Sequence, residues 1–508
     1  MMTHWLPRLL MALIPLSVFA QGPVVQTGNG PVEGMTEGQI RIFKGIPYAA
    51  PPVGDLRWAS PKKHTGWKET RLCTAFGASA MQPAPVPFSM WTEEFIAPPA
   101  PLSEDCLTLN IWTAGKSRKD KLPVVVWIHG GGFVSGAASC AVYDGKAMAE
   151  RGIVFVSINY RLGVFGFMAH PELTAASSDK ASGNYGLMDQ AFALKWVKEN
   201  IAAFGGDPNA VTIAGQSAGS MSVNALVASP RCASLFQRAI AQSGGILGSR
   251  FTRQLAEGEA AGKELQEKLG VTSLQDLRNL PADTILAMAS KMPFGSFSVI
   301  LDGYFLPTDI NAHFRAGKHA QVPVMTGWVT GDGSLMGGNG LSAAQFREQA
   351  EKMYGPKAAV FLEAFPAGTE EEARTAQLKS SMLGFAGLPA QQWAVSTAQP
   401  VFIYEDRFVP TDKPGFPNYG AFHTSEVPFA FHTLAKWNRP WQARDLAIEK
   451  LMTGYWVNFI STGNPNGKGL PAWNPFDREK QTILVIDETT QQRPGLYRKE
   501  FAFFDSLK

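Results

Sequence analysis

The chain has 508 residues, 45% hydrophobic and 18% charged, an ordinary globular composition that excludes disordered and collagen-like classes. Its 46 Lys and Arg against 43 Asp and Glu leave a net charge of +3, too small a surplus to indicate a nucleic-acid partner, a membrane surface or a strongly charged substrate. No Cys/His spacing suited to zinc occurs, and neither a metal nor another cofactor is expected.

Residues 1–20 combine a weakly basic start, His4 and Arg8, with the apolar run 9–20 that ends Val18-Phe19-Ala20 before Gln21. This pattern predicts a cleaved export signal, hence a secreted or periplasmic protein. The run is shorter than the roughly 20 residues a bilayer needs, and no later stretch qualifies, so no stable membrane insertion is expected. Residues 21–508 show no internal repeat and no long linker, and read as one domain. Of the four cysteines, Cys73, Cys106, Cys140 and Cys232, three pairings are possible. Cys73 with Cys106 is favoured because the segment between them is Pro-rich with little periodicity, and a clamp there would limit its freedom. Cys140 and Cys232 are left as free or paired.

Residues 124–128 and 153–158 are short β-rich runs, as strands buried on both faces are. Between them lies His129-Gly130-Gly131-Gly132. Three glycines free the backbone to aim its amides at one point, and the loop lacks the lysine and spacing of a phosphate cradle. Residues 186–204 carry Leu187, Ala191, Leu194, Val197 and Ile201 at helical spacing, and residues 211–214 form a further strand, so strand, helix, strand implies a parallel crossover. That strand runs into Gly215-Gln216-Ser217-Ala218-Gly219. The Gly-x-Ser-x-Gly pattern between a strand and a helix is a nucleophile elbow, with the serine hydroxyl lifted clear of the sheet. Cleavage of an ester at Ser217 passes through an oxyanion, for which Gly131, Gly132 and Ala218 are the candidate backbone donors. His129 reads as a packing residue of its loop.

Residues 254–289 and 341–368 are helix-favouring and charged, and are expected to cover the sheet and shape a substrate cavity. Residues 322–326 and 401–404 read as later strands, 446–459 as a helix and 483–486 as a last apolar run. A base for Ser217 should be a histidine that follows the acid in the chain. His313, His319, His423 and His432 lie beyond the serine, and His423, in the small-residue loop 420–426, suits a base facing a cavity. The acid belongs on a loop just past a strand. Asp332, after 322–326, qualifies, with Asp406, after 401–404, as its rival.

Residues 43–49 (Phe-Lys-Gly-Ile-Pro-Tyr-Ala) through Pro52, Gly54, Leu56, Arg57 and Trp58, and residues 104–110 (Glu-Asp-Cys-Leu-Thr-Leu-Asn), join the elbow as matched motifs. Asn159-Tyr160-Arg161, residues 183–190, 204–208 and 462–465 extend them along the chain. In these the sequence resembles the type B carboxylesterase family, the cholinesterase-like and para-nitrobenzyl-esterase-like group. The resemblance implies an α/β-hydrolase fold: a mostly parallel central sheet, helices on both faces, and helical insertions over an active-site gorge. It further implies a Ser217, Asp332, His423 triad, an oxyanion hole of Gly131, Gly132 and Ala218, a Cys73 to Cys106 disulfide, and a supporting hydrogen bond from Ser243 near the acid. The expected activity is hydrolysis of small or medium carboxylic esters through an acyl-enzyme. The alternatives are a non-catalytic binding or adhesion protein on the same fold, and a specialised hydrolase of a bulky natural ester or amide. The oligomeric state is left open.

Two positions depart from the family. Asp332 stands where a longer glutamate is commoner, and Gln216 stands where many relatives have glutamate, which makes cationic choline esters poor candidates. Trp91 either lines the gorge or simply packs.

Overall fold

The computed structural model describes residues 22–248, 251–335 and 340–507. The expected export signal at residues 1–20 lies outside the described residues.

The central sheet is built from β1 (Met35–Glu37), β2 (Ile40–Pro47), β3 (Thr108–Thr113), β4 (Leu122–Ile128), β5 (Val154–Ile158), β6 (Gly206–Gln216), β7 (Arg238–Gln242), β8 (Val324–Val329), β9 (Val401–Asp406), β10 (Thr482–Ile486) and β11 (Gln491–Pro494). Their spatial order is β11-β10-β9-β8-β7-β6-β4-β5-β3-β2-β1. From β5 to β10 every pairing is parallel, and antiparallel strands finish both edges.

Side chains alternate across a strand, so a sheet covered on both faces feeds two cores. In β4, Val124, Val126 and Ile128 enter one apolar cluster while Val125 and Trp127 enter another. Helices α1 (Tyr185–Asn200) and α2 (Ala218–Ala228) supply the first cluster through Leu194, Val197, Val223 and Leu226. Helices α3 (Glu426–Phe431) and α4 (Ala443–Thr462) supply the second through Phe431, Trp456 and Phe459. The expected strands at 124–128, 153–158, 211–214, 322–326, 401–404 and 483–486 all lie within or beside these elements, and β4 separates β5 from β6.

Each stretch expected as helical cover is divided. Residues 254–289 form Leu255–Lys268, Leu274–Asn279 and Ala282–Ala289, interrupted at Gly270, whose φ is +69°, and at Pro281, which caps the third helix. Residues 341–368 form Ala343–Tyr354 and Ala358–Ala364, parted at Gly355-Pro356. Glycine in the left-handed region and proline without an N–H both end a helix.

The parallel register aligns the carboxyl ends. Ile128 pairs with Gly215, Gln216 with Gln242, Gln242 with Gly327, and Val329 with Asp406. The loops after β4 and β6 therefore emerge side by side, with the loop after β8 one strand farther along, in the crevice where open α/β sheets carry their sites.

Candidate active site

Ser217 bridges β6 and α2 with φ 59° and ψ −123°, a strained conformation for a residue with a Cβ. Its N–H donates to the Gln242 carbonyl of the neighbouring strand, and its own carbonyl accepts from Met221 one turn into α2. The turn is tight because its glycines are bare. A Cβ on Gly219 would fall 2.0 Å from the Ile128 carbonyl oxygen, and one on Gly215 2.4 Å from the Gly219 backbone. The serine is left half-buried while its neighbours on both sides are buried. Among the described residues its hydroxyl makes no hydrogen bond.

The loop after β4 turns at Gly131 and Gly132, with φ +110° and +62°. Gly131 cannot carry a side chain, since its Cβ would meet the Ser135 carbonyl at 2.1 Å. The N–H groups of Gly131, Gly132 and Ala218 have no acceptor among the described residues. Ala218 opens α2, where unpaired N–H groups and the helix dipole favour negative charge. His129 is held away from this chemistry. It is buried, stacked on Tyr160 at 4.6 Å between ring centroids, and in contact with the Gly130 carbonyl at 2.8 Å. Burial pushes its value down to about 4, so it stays neutral.

Asp332 begins a single helical turn, Asp332–Leu335, directly past β8. The preceding Gly331 donates its N–H to the Ala421 carbonyl at 2.8 Å, and a Cβ there would approach that oxygen to 2.4 Å. This close passage of two loops brings the Asp332 carboxylate to His423, with Oδ1 2.6 Å from Nδ1 and both side chains buried. The carboxylate only accepts when ionised, so Nδ1 carries the hydrogen and Nε2 presents a lone pair. The rival acid, Asp406, is buried within range of the Asp332 charge but is not bonded to His423, and it accepts from the Phe408 N–H at 2.9 Å. Of the other histidines, His319 stacks on Phe314 and His432 lies 3.3 Å from Glu449.

Ser243 makes its bond to a neighbour of the acid. Its hydroxyl lies 3.4 Å from Glu426 rather than on Asp332. Glu426, at the start of α3, is fully buried, and that burial followed by the nearby Asp332 charge pushes its carboxyl well above the usual range. Burial likewise raises Asp406 to about 7. Burial and mutual repulsion thus disfavour charge on Glu426 and Asp406. Sequence reasoning did not find Glu426, although its place three residues past His423 was readable. Nor did it find Phe385, whose ring meets His423 edge-on at 5.7 Å. Trp91 does reach the site: its ring is edge-on to His423 at 6.3 Å and its indole N–H donates to Thr424 Oγ1 at 3.2 Å.

The expected Cys73–Cys106 bond is not formed in the structure, where all four cysteines are buried thiols. Backbone bonds fix both positions without it: Cys73 N–H to the Glu33 carbonyl, Lys44 N–H to the Cys73 carbonyl, and Cys106 N–H to the Glu104 carbonyl. Among the described residues no helix is long and apolar enough to cross a membrane, and no His/Cys/Asp/Glu group could hold a metal ion.

The family model described as the carboxylesterase family matches residues 21–504. This chain belongs to the carboxylesterase family. The fumonisin B1 esterase of Sphingopyxis macrogoltabida is 35% identical, over 97% of this chain and 92% of that one. The para-nitrobenzyl esterase of Bacillus subtilis (strain 168) is 34% identical, over 94% and 98%. A solved carboxylesterase from Geobacillus stearothermophilus superposes with a TM-score of 0.82 at 31% identity, covering 94% of this chain and 99% of that one. The fold is accordingly the α/β-hydrolase fold, and this carboxylesterase-family chain is a carboxylic ester hydrolase.

Proposed function

We propose that this carboxylesterase is an exported serine hydrolase that cleaves small or medium, uncharged carboxylic esters through an acyl-enzyme, residues 21–508 acting as one domain. The observation that carries the reading is the 2.6 Å Asp332–His423 pair, with His423 3.0 Å from Gln216, the residue before a strained Ser217, together with three unpartnered amides. His423 Nε2 takes the Ser217 proton as Oγ bonds to the ester carbonyl carbon. The N–H groups of Gly131, Gly132 and Ala218 stabilise the oxyanion, which collapses as His423 returns the proton to the departing alcohol. Water repeats the sequence on the acyl-enzyme, releasing the acid and free Ser217. Asp332 holds the ring and stabilises the imidazolium formed in each half. An uncharged substrate is favoured because Gln216, Trp91, Thr424 and Phe385 surround His423 without a formal charge. Export follows from the pattern of residues 1–20, and in an oxidising compartment Cys73 and Cys106 are proposed to pair.

The test is hydrolysis of p-nitrophenyl esters from acetate to long acyl chains by the native enzyme and by Ser217→Ala, with covalent labelling by a fluorophosphonate. Turnover and labelling confined to the native enzyme are expected, and the chain-length profile ranks the acyl pocket. Equal turnover in Ser217→Ala would refute the assignment.

A further inference from the structure

Gln216, the residue before the nucleophile, is buried, and its amide nitrogen lies 3.0 Å from His423 Nε2 and 3.4 Å from His423 Nδ1. Those near-equal distances fix where the amide is. An atom on the in-plane lone pair of Nε2 would be much farther from Nδ1 than from Nε2, so the nitrogen sits over the face of the imidazole. The lone pair that must take the Ser217 proton is left uncovered.

Which end of the amide meets the ring follows from a chain of donors. The Trp91 indole N–H can only donate, and it donates to Thr424 Oγ1 at 3.2 Å. The single hydroxyl hydrogen of Thr424 is then free for Gln216 Oε1, 3.4 Å away. With its oxygen engaged there, Gln216 turns its NH2 to His423. Thr424 is held for this by an unusual backbone, φ 85°. Three separate parts of the chain, residues 91, 216 and 424, thus converge on the polarity of one amide.

We propose that the Trp91–Thr424–Gln216 relay is a positioning device that presents the positive edge of the Gln216 amide to the face of His423, favouring the neutral base and extending activity to lower pH. The π face of a neutral imidazole accepts an N–H, whereas an imidazolium is repelled by it. The inference rests on His423 being the base for Ser217. The titratable group on the ring is Asp332 at Nδ1, and those that interact with Asp332 in turn are Glu426 at the start of α3, Asp406 at the end of β9 and the buried Tyr404 phenol. None of them is altered in the variants that follow.

The acid limb of kcat/KM reports protonation of the base in the free enzyme. In Gln216→Glu, a carboxylate replaces the amide edge, and the limb should move to higher pH by about 1–2 units. Gln216→Met, which keeps the size and loses the dipole, should move it up by about half a unit. Trp91→Phe and Thr424→Val leave Gln216 in place but free its amide to reverse, and each should move the limb in the same direction. Trp91→Phe combined with Gln216→Met should shift it no further than Gln216→Met alone. A purely structural role would lower kcat at all pH values and leave the limb where it was. A limb that stays within about 0.2 units of the native position, or moves down, in Trp91→Phe and Thr424→Val overturns the relay even if both Gln216 variants fold poorly. Fluorophosphonate labelling of the native enzyme and of Ser217→Ala separates the two readings: Ser217-dependent labelling with an immobile limb removes the relay alone, and labelling unaffected by Ser217→Ala removes the base assignment with it.

Discussion

Asp332 is a fully buried carboxylate whose Oδ1 holds His423 at 2.6 Å and whose Oδ2 lies 3.4 Å from the Val329 N–H. Its function on this reading is to fix the tautomer that leaves Nε2 as an acceptor. Asparagine is nearly the same shape but would present either an oxygen that stabilises the imidazolium poorly or an NH2 that forces the wrong tautomer. Asp332→Asn should therefore lower kcat by roughly 10⁴-fold with little change in KM, as triads lose when the acid becomes an amide. Steady-state kinetics with a circular-dichroism check on folding would show it, and a loss below about tenfold would point to another acid. The residues of this site differ in how readable they were. Ser217, Asp332 and His423 stand in local patterns, elbow, strand end and small-residue loop, each tied to a mechanical need. The contact of Gln216 with His423 and the hydroxyl of Thr424 between two partners were not readable, because no short stretch of sequence states which loops meet. Ser243 shows the same limit: a bond near the acid was implied, but that its partner would be Glu426 was not readable.

At the scale of elements, the parallel strands were legible from short β-branched runs, since strands buried on both faces need no alternation. β2 and β7 were not, because β2 contains Gly45 and Pro47 and shifts register between Phe43 and Ile46, while β7 is only Arg-Ala-Ile-Ala-Gln. The helical cover was legible as helix but not as separate pieces, for Gly270 and Gly355 act through backbone φ rather than apolar pattern. Two predictions belong here. The elbow depends on contact between the start of α2 and the end of β4, so Gly219→Ala, whose Cβ would sit 2.0 Å from the Ile128 carbonyl oxygen, should destabilise the fold by ~3 kcal/mol or more. Native-like chemical denaturation in that variant would contradict the close packing. The second concerns the end of β9. Asp406 titrates near 7 when folded against 3.8 ordinarily. Between those values the folded chain keeps a proton that the unfolded chain has released, so this group's contribution to stability falls as pH rises from about 4 to about 7 and is level above. Asp406→Asn can still accept from the Phe408 N–H and has no proton to lose. Its Tm relative to the native protein should rise from pH 4.5 to pH 7.5, and an unchanged difference would show that Asp406 is ionised in the fold.

At the scale of the whole molecule, segments remote in sequence are tied together by a few buried charges. Arg57 forks onto Glu104 at 2.7 and 2.5 Å and spends its remaining nitrogen on the carbonyls of Arg278 and Leu280, at 2.8 and 2.7 Å. Arg161 holds Asp189 of α1 by three bonds, two from its guanidinium at 2.8 and 2.7 Å and one from its backbone N–H at 3.1 Å, with both side chains almost fully buried. These ties surround the segment between Cys73 and Cys106, which carries Trp91 to the site. That segment has only short paired stretches, Ser79–Ala80 with Leu102–Ser103 and the Phe88–Trp91 bridge, so its placement depends on how firmly its ends are held. Burial raises the Cys73 thiol to about 11, and neither end is a ready thiolate once folded. A bond between them would therefore have to form before the core closes, during export, and would then resist reduction. On the proposed export, the protein denatured without reductant should titrate two thiols, those of Cys140 and Cys232, and four after reduction. Denaturation with and without reductant should differ by ~3–4 kcal/mol, the order expected for a loop of this size. Because Trp91 lies inside the loop, Cys73→Ala should also weaken its hold on Thr424 and move the acid limb of kcat/KM upward by less than Trp91→Phe does. Four thiols in the denatured protein would instead mean that backbone bonds and the Arg57–Glu104 tie hold the segment by themselves.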